Sequence, residues 1–526
     1  MAKPYSSPQS PARISHHVGE GRGFSPAVTR PADCASPSPP APLAAASGAG
    51  DEAKRGGTPA ISAGLKPRPS GAVGQLPRVG EESGPARSPF RERTFVGFGF
   101  GPIQAGLFLY EAFRSGDFAR LVVAEVVPEV VHAVRAAGGR FAVNIAHSDH
   151  IEVAEVGPLE IQDPGSESDR RRLVEAVAEA EEIATAVPSV QLYASPSPGS
   201  VHRLLAQGLR RKAAAQGPPA IVYAAENHNR AAEILEASVL EEIPEGERER
   251  VRSRVRFLNT VIGKMSGVVS DADEIRLQSL ATVTPGGQRA FLVEAFNRIL
   301  VSRIRFEGSG DAPPFQRGIN VFDEKDDLLP FEEAKLYGHN ATHALAAYVG
   351  AMRGLELIAD LSKHPDIFAF LRAAFIQESG EALVRKHAGK DPLFTHTGYR
   401  EYARDLLARM VNPFLHDSVE RVGRDPQRKL EWDDRLVGTL RVALRQGIYP
   451  SRYAFGTAAA LAVLDRKTLE TNTPLATWLV PLWQMASPDK QEEEGVLDLI
   501  EEGRKRLQRW RATGFQDLEG LFSREG

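Results

Sequence analysis

The 526-residue chain is predicted to fold as an α/β domain with a doubly wound sheet, followed by a mostly α-helical domain and preceded by a disordered tail. Three observations carry this expectation. Between residues 94 and about 300, short apolar runs suited to buried strands alternate with segments of helical periodicity. Beyond residue 314 the pattern is almost wholly helical. Residues 1–90 hold 15 of the 37 prolines, are rich in Ser, Ala and Gly, and lack hydrophobic periodicity. The expected division is a tail over 1–90, an α/β domain over 91–310 and a helical domain over 311–526. The loop Glu307-Gly-Ser-Gly-Asp-Ala-Pro-Pro314 is the expected boundary.

Taken in order, strand 94–99, helix 103–115, strand 120–125 and helix 128–137 make a βαβα opening. Further strands are expected over 141–145, 190–193, 221–224, 257–262 and 291–295, with helices over 169–184, 201–215 and 230–240. Strands spaced by helices imply a parallel sheet. The two halves differ, and no internal repeat relates them. The tail is read as disordered, with two other readings open: a regulatory or partner-binding arm, or a start assigned too early, since no methionine occurs between Met1 and Met265.

Composition narrows the function classes. At 42% hydrophobic and 25% charged, with a net charge of −4 and no basic stripe interleaved with aromatics, the chain does not read as a nucleic-acid binder. No apolar run approaches the roughly 18 residues that span a bilayer, and the N-terminus lacks a secretory-type apolar segment, so a cytoplasmic protein without a membrane partner is expected. A single cysteine, Cys34, leaves no internal disulfide framework and no cysteine-based metal cluster.

The run Gly97-Phe-Gly99-Phe-Gly101-Pro102-Ile-Gln104-Ala-Gly106 leaves the first strand and opens the first helix. Glycines let a backbone turn sharply and approach a pyrophosphate, which the helix N-terminus favours, and Pro102 suits a first helical turn. This is the pattern of a Rossmann-type dinucleotide site. Glu125 ends the second strand, where a carboxylate accepts both ribose hydroxyls of an adenosine and repels a 2′-phosphate, so NAD is expected rather than NADP. In the alignment Gly99-x-Gly101-x-x-Gln104 the third glycine is replaced by a bulky amide, and Gly106 follows two residues later.

Lys335-Leu-Tyr-Gly-His-Asn340-Ala-Thr-His343 sets an amine, an amide and an imidazole at the start of a strongly apolar helix. An amine that shuttles a proton, an amide that holds an alkoxide and an imidazole that orients a hydroxyl suffice to oxidise an alcohol without a metal. At about 100° per residue Asn340 and His343 share a face, while Lys335 lies roughly 80° from His343 and converges through its length. The geometry permits a site without compelling one. The second dense polar segment, 412–430, carries Arg421, Arg424, Arg428 and Lys429. Mixed charge of this kind alone marks a solvated, ion-paired surface, but the embedded Pro and Gly make an irregular loop whose arginines suit an anionic group.

Segments 335–343 and 412–430, with Phe331-Glu-Glu-Ala-Lys-Leu336 and the Gly99 turn, resemble the polyol-specific long-chain dehydrogenases, most closely their mannitol-1-phosphate 5-dehydrogenase branch. The string Asn-Pro-Phe-Leu-x-Asp-x-Val-Glu-Arg-Val-Gly-Arg-Asp-Pro-x-Arg-Lys-Leu follows that branch over 412–430. The resemblance runs from about residue 94 to past residue 460. It implies a metal-independent, NAD-linked oxidoreductase. The expected reaction interconverts a linear sugar alcohol phosphate and its keto-sugar phosphate, with mannitol 1-phosphate and fructose 6-phosphate as the expected pair, although the substrate is not carried over from the family. The resemblance also implies Lys335 as general acid/base, Asn340 and Asn227 as alkoxide ligands, His343 and Arg421 as substrate contacts, and Lys429 as a pocket lysine. For Lys335 to take a proton near neutrality its pKa must fall from about 10.4 to roughly 8, with burial and a cation such as Arg421 as the expected causes. Where the family carries Asp-Arg after the strand 257–262, this chain has Gly263-Lys264, which favours a more anionic substrate or another hydroxyl pattern. Lys264 is read either as a phosphate ligand or as an exposed loop lysine. An enzyme of free polyols or sugar acids, and a non-catalytic sugar-phosphate sensor, remain as rival readings.

Overall fold

The computed structural model describes residues 93–306 and 315–523. The tail, Cys34 and the boundary loop Glu307 to Pro314 lie outside the described residues. Twelve strands occur among the described residues: β1 (Arg93–Phe98), β2 (Phe118–Ala124), β3 (Phe141–Ala146), β4 (Ile151–Val156), β5 (Glu160–Gln162), β6 (Glu182–Thr185), β7 (Ala220–Ala224), β8 (Val255–Val261), β9 (Ser266–Val269), β10 (Ala290–Glu294), β11 (Ile299–Ser302) and β12 (Phe322–Lys325). Eight form one sheet in the order β12-β11-β8-β7-β6-β1-β2-β5. From β8 to β5 every pairing is parallel, and β11 enters antiparallel to β8.

The strand alternation explains the layering. Phe95 points into one apolar layer and Val96 and Phe98 into the other, so β1 is buried on both faces, as a central parallel strand requires. One layer is closed by helices Glu167–Glu179, Val201–Ala214 and Ala231–Glu241. The other is closed by the helical segment after β1 and by a second sheet, β4-β3-β10-β9. The remainder of the chain packs as helices around the buried helix Ala341–Arg353 and the helix Ser451–Leu464.

Several expectations need correction. Residues 190–193 are not a strand: Val190–Leu192 is a 3₁₀ turn capped by Ser189, whose hydroxyl accepts the Gln191 N–H. The strand belongs to Glu182–Thr185, which the Ala- and Glu-rich run had concealed inside an expected helix; that helix ends at Glu179. The short strand lies wholly buried between β1 and β7, where sheet pairing overrides helical propensity. Residues 141–145 and 291–295 are strands, but they pair with each other and with two antiparallel partners in the second sheet. Past residue 314 the described chain is almost wholly helical, as expected; the exception is β12, which adds to the edge of the large sheet beside β11.

Candidate active site

The glycine turn leaves β1 with the backbone that the sequence implies. Gly99 has φ of 85°, and a Cβ there would lie 2.8 Å from the carbonyl oxygen of Ala186, so conformation and space both require glycine. A Cβ on Gly101 would meet nothing within 4 Å, leaving that stretch of backbone open to approach. Gly106 takes the packing role: a Cβ there would stand 2.6 Å from Val293 and 3.3 Å from Val143, so its absence lets the helical segment sit against the second sheet. Gln104 turns inward instead of toward the turn's open side. Its side chain is buried against Gly97, and neither amide atom has a hydrogen-bond partner among the described residues. Glu125 is buried beside the turn, where its carboxylate accepts the N–H of Phe100 at 2.9 Å and of Val127 at 2.8 Å. It therefore organises the turn itself.

A cleft of about 770 Å³ opens between the loop after β7, the end of β8 and the helical half. Lys335 and Asn340 line it, both within a π-helical segment, Ala334–Asn340. In a regular α-helix residues five apart diverge by about 140°. The i→i+5 turn instead brings them toward one face, and such turns recur at functional sites. Across the cleft, Asn227 accepts a hydrogen bond from Lys335 Nζ at 3.1 Å. Burial pulls the lysine down to about 8, assisted by the guanidinium of Arg435 and opposed by Glu332. The direction matches the sequence expectation, but the cation is Arg435 rather than Arg421. Glu332, also on the cleft wall, is pushed up to about 7 by burial and by Glu233.

His343 lies deeper, largely buried, with Nε2 3.6 Å from Asp417 Oδ2 and outside hydrogen-bond reach of it. Burial, Arg421, Arg435 and Lys429 lower it to about 3, so the ring is neutral. His339, one turn earlier on the same segment, is buried beside it with ring centroids 6.2 Å apart, and burial and His343 hold it well below the usual histidine range.

Segment 412–430 is the irregular loop expected, with short helices Val419–Gly423 and Pro426–Lys429 and left-handed residues His416 and Asp425. Ser418 caps the first helix by accepting the Arg421 N–H at 3.1 Å. Its cations differ in what they are free to do. Arg421 is engaged by Asp417, Arg428 by Asp425 at 2.9 Å and Asp434 at 3.3 Å, and buried Lys429 donates to the carbonyl of Arg424. Arg424 is exposed, and Arg428 stands on the cleft wall. Lys264 is not brought to the cleft wall. Its buried ammonium donates to the carbonyls of Glu294 and, at 2.8 Å, Phe296, so it is not the exposed loop lysine. Arg409 fastens the same region, donating to the Gly263 carbonyl at 2.7 Å and pairing with Glu294 while lying 3.6 Å over the Phe296 ring.

Sequence reasoning missed Arg435, Glu332, His339 and Arg409. The only available signal for Arg435 was Glu431-Trp-Asp-Asp-Arg435, directly after the singled-out loop, and for His339 its spacing four residues before His343.

Comparison with known proteins gives a consistent picture. Residues 93–306 match the family model described as the mannitol dehydrogenase Rossmann domain, and residues 327–501 match the mannitol dehydrogenase C-terminal domain. The mannitol-1-phosphate 5-dehydrogenase of Bacillus licheniformis is 30% identical over 366 residues, covering 69% of this chain and 86% of that protein. The Bacillus subtilis protein of the same name is 30% identical over 58% of this chain and 71% of its own length. Among solved structures, a substrate-free D-sorbitol dehydrogenase superposes with a TM-score of 0.63 at 14% identity, over 81% of this chain and 94% of that one. The Pseudomonas fluorescens mannitol 2-dehydrogenase, solved with NAD and D-mannitol, gives 0.58 at 16% identity, over 83% and 95%. These two likenesses concern the fold.

Proposed function

The chain belongs to the mannitol dehydrogenase family, and on that premise we propose that it interconverts a linear sugar alcohol phosphate and its keto-sugar phosphate, with mannitol 1-phosphate and fructose 6-phosphate as the pair. The single observation that carries a catalytic reading is Lys335, lowered to about 8 and held only 3.1 Å from Asn227 on the wall of the cleft.

NAD is the cofactor, and the chain fits it: Gly99 is required by its backbone, and Gly101 leaves the turn open where a pyrophosphate needs close approach. When bound, NAD supplies the acceptor for hydride. The Gly99–Gly101 backbone would hold its pyrophosphate and Glu125 its ribose. The chain's own residues do the rest. In the oxidation direction the neutral amine of Lys335 takes the hydroxyl proton, while the amides of Asn227 and Asn340 hold the oxygen as its charge grows. Neutral His343 orients a neighbouring hydroxyl by accepting or donating one hydrogen bond without adding charge.

A free polyol is the second reading, and one observation favours it. Arg421 and Arg428 already have carboxylate partners, and Glu332, Glu431, Asp433 and Asp434 share the cleft wall. Steady-state rates followed by NADH absorbance, with phosphorylated and free forms of the same substrates, separate the two. A kcat/KM at least about tenfold higher for the phosphorylated form supports the first reading. Equal or reversed preference selects the second, and titration of NADH without heat would return the sensor reading.

A further inference from the structure

Asn227 stands next to a carboxylate that the chemistry above does not use. Glu226 is 5% exposed and accepts three hydrogen bonds: from the N–H of Val187 at 2.9 Å, from the hydroxyl of Thr185 at 2.9 Å and from the hydroxyl of Tyr193. The donors are the last residue of β6, Thr185, and two residues of the segment that leaves it, Val187 and Tyr193. That segment backs the glycine turn: the Ala186 N–H donates to the Phe98 carbonyl at 2.9 Å, and the Ala186 carbonyl is what a side chain at Gly99 would strike. Glu226 thus ties the loop after β7 to the loop after β6, one residue before the asparagine that receives Lys335.

Burying a carboxylate is costly unless donors replace its water, and an apolar side chain would fill the space without that cost. An apolar residue could not, however, hold a backbone amide and two hydroxyls at the end of β6 and on the loop after it at once. With three donors committed to it, the carboxylate is poorly placed to exchange a proton with substrate, although it borders the cleft. Its work is geometric.

We propose that Glu226 is a positioning residue, which sets Asn227 against Lys335 and in register with the glycine turn by clamping together the loops that follow β6 and β7. The inference rests on the dehydrogenase reading of the cleft. Its test is a double-mutant cycle in the full-length chain, using E226Q, N227A and the pair together, with Y193F and Y193F/N227A as a milder set. Glutamine keeps the size of Glu226 but replaces one acceptor oxygen with a donor. Phenylalanine removes one of the three donors and leaves the carboxylate.

The expected result is a kcat about tenfold lower for E226Q and about threefold lower for Y193F, with the dinucleotide KM changed by less than about twofold. N227A should lose about a hundredfold, and adding either second substitution should lose nothing further, because each acts through Asn227. A residue that only supports the fold would lower Tm and would multiply its effect with that of N227A. An E226Q enzyme at the wild-type rate, or losses that multiply, overturns the clamp while the cleft reading stands. N227A at the wild-type rate overturns the cleft reading and the clamp with it. Should E226Q fail to melt cooperatively, the Y193F pair decides by the same two criteria.

Discussion

Lys335 and Arg428 reach the same cleft from two polar segments, yet the first is held by one neutral amide and the second by two carboxylates. The contrast extends along both segments. In 335–343 the polar groups are short of partners: Lys335 meets one neutral amide on the cleft wall, burial lowers His343 to about 3, and His343 Nε2 has no hydrogen-bond partner among the described residues. In 412–430 nearly every cation is matched, with Arg421 on Asp417, Arg428 on Asp425 and Asp434, and Lys429 on a backbone carbonyl. A lowered pKa does not separate the two segments, since burial takes Lys429 as well as Lys335 down to about 8; the difference lies in the partner, an asparagine amide on the cleft wall for Lys335 and a backbone carbonyl for buried Lys429.

The largest effect that tests this contrast is at the unmatched amine. Lys335→Ala should lower kcat by about 10²-fold or more while NADH affinity, measured by titration, stays nearly constant. An unchanged kcat would remove Lys335 from the chemistry. Next come the cations of 412–430. If the loop also binds a phosphate, Arg428→Ala or Arg424→Ala should raise KM for a sugar phosphate about ten- to a hundred-fold more than for its free polyol, the equivalent of one charge-assisted hydrogen bond. Equal effects on both substrates would leave 412–430 as architecture alone. Lys264→Ala should instead lower Tm and affect both substrates alike, because its ammonium is committed to two carbonyls.

Glu125→Ala should weaken NADH about tenfold and narrow its preference over NADPH, as a ribose acceptor and a source of repulsion are lost together. Because Glu125 also accepts the Phe100 and Val127 amides, Tm should fall as well. Cofactor preference that stays put would confine Glu125 to supporting the turn.

The smallest effect concerns pH. Oxidation needs the neutral amine, so kcat should rise with pH through about 8 as Lys335 loses its proton. A nearby cation disfavours the ammonium, so Arg435→Ala should raise the lysine pKa and move that limb to more alkaline pH, by about one pH unit or less. A limb that stays in place would show that burial alone sets the lysine. No limb near the ordinary histidine range is expected from His343, since it stays neutral until far lower pH.

The helical and strand periodicities of the chain, the glycine turn at the end of β1 and the polar spacing of 335–343 were legible in the sequence because each is a local pattern. Glycine at 99 is a property of one φ angle and one close carbonyl, and a short motif conveys it. Position 104 already showed a departure in the motif, but only packing revealed that its amide turns inward over Gly97. The π-helical turn that brings Lys335 and Asn340 to one face breaks the 100° rule on which the sequence geometry relied. Glu182–Thr185 looked helical in isolation and became a strand because β1 and β7 lie on either side of it.

Partnership was the least legible property of all. Lys335 meets Asn227 from 108 residues away, and Arg409 meets Glu294 from 115. Lys264 and Arg421 are both basic residues beside short polar loops, and nothing local says that one is buried on carbonyls and the other sits on Asp417. Residue type and spacing determine which chemistry a chain is able to perform. Which charges are neutralised, which are stranded and where the resulting pKa values settle depend on desolvation and distance, and these exist only once distant segments have packed together.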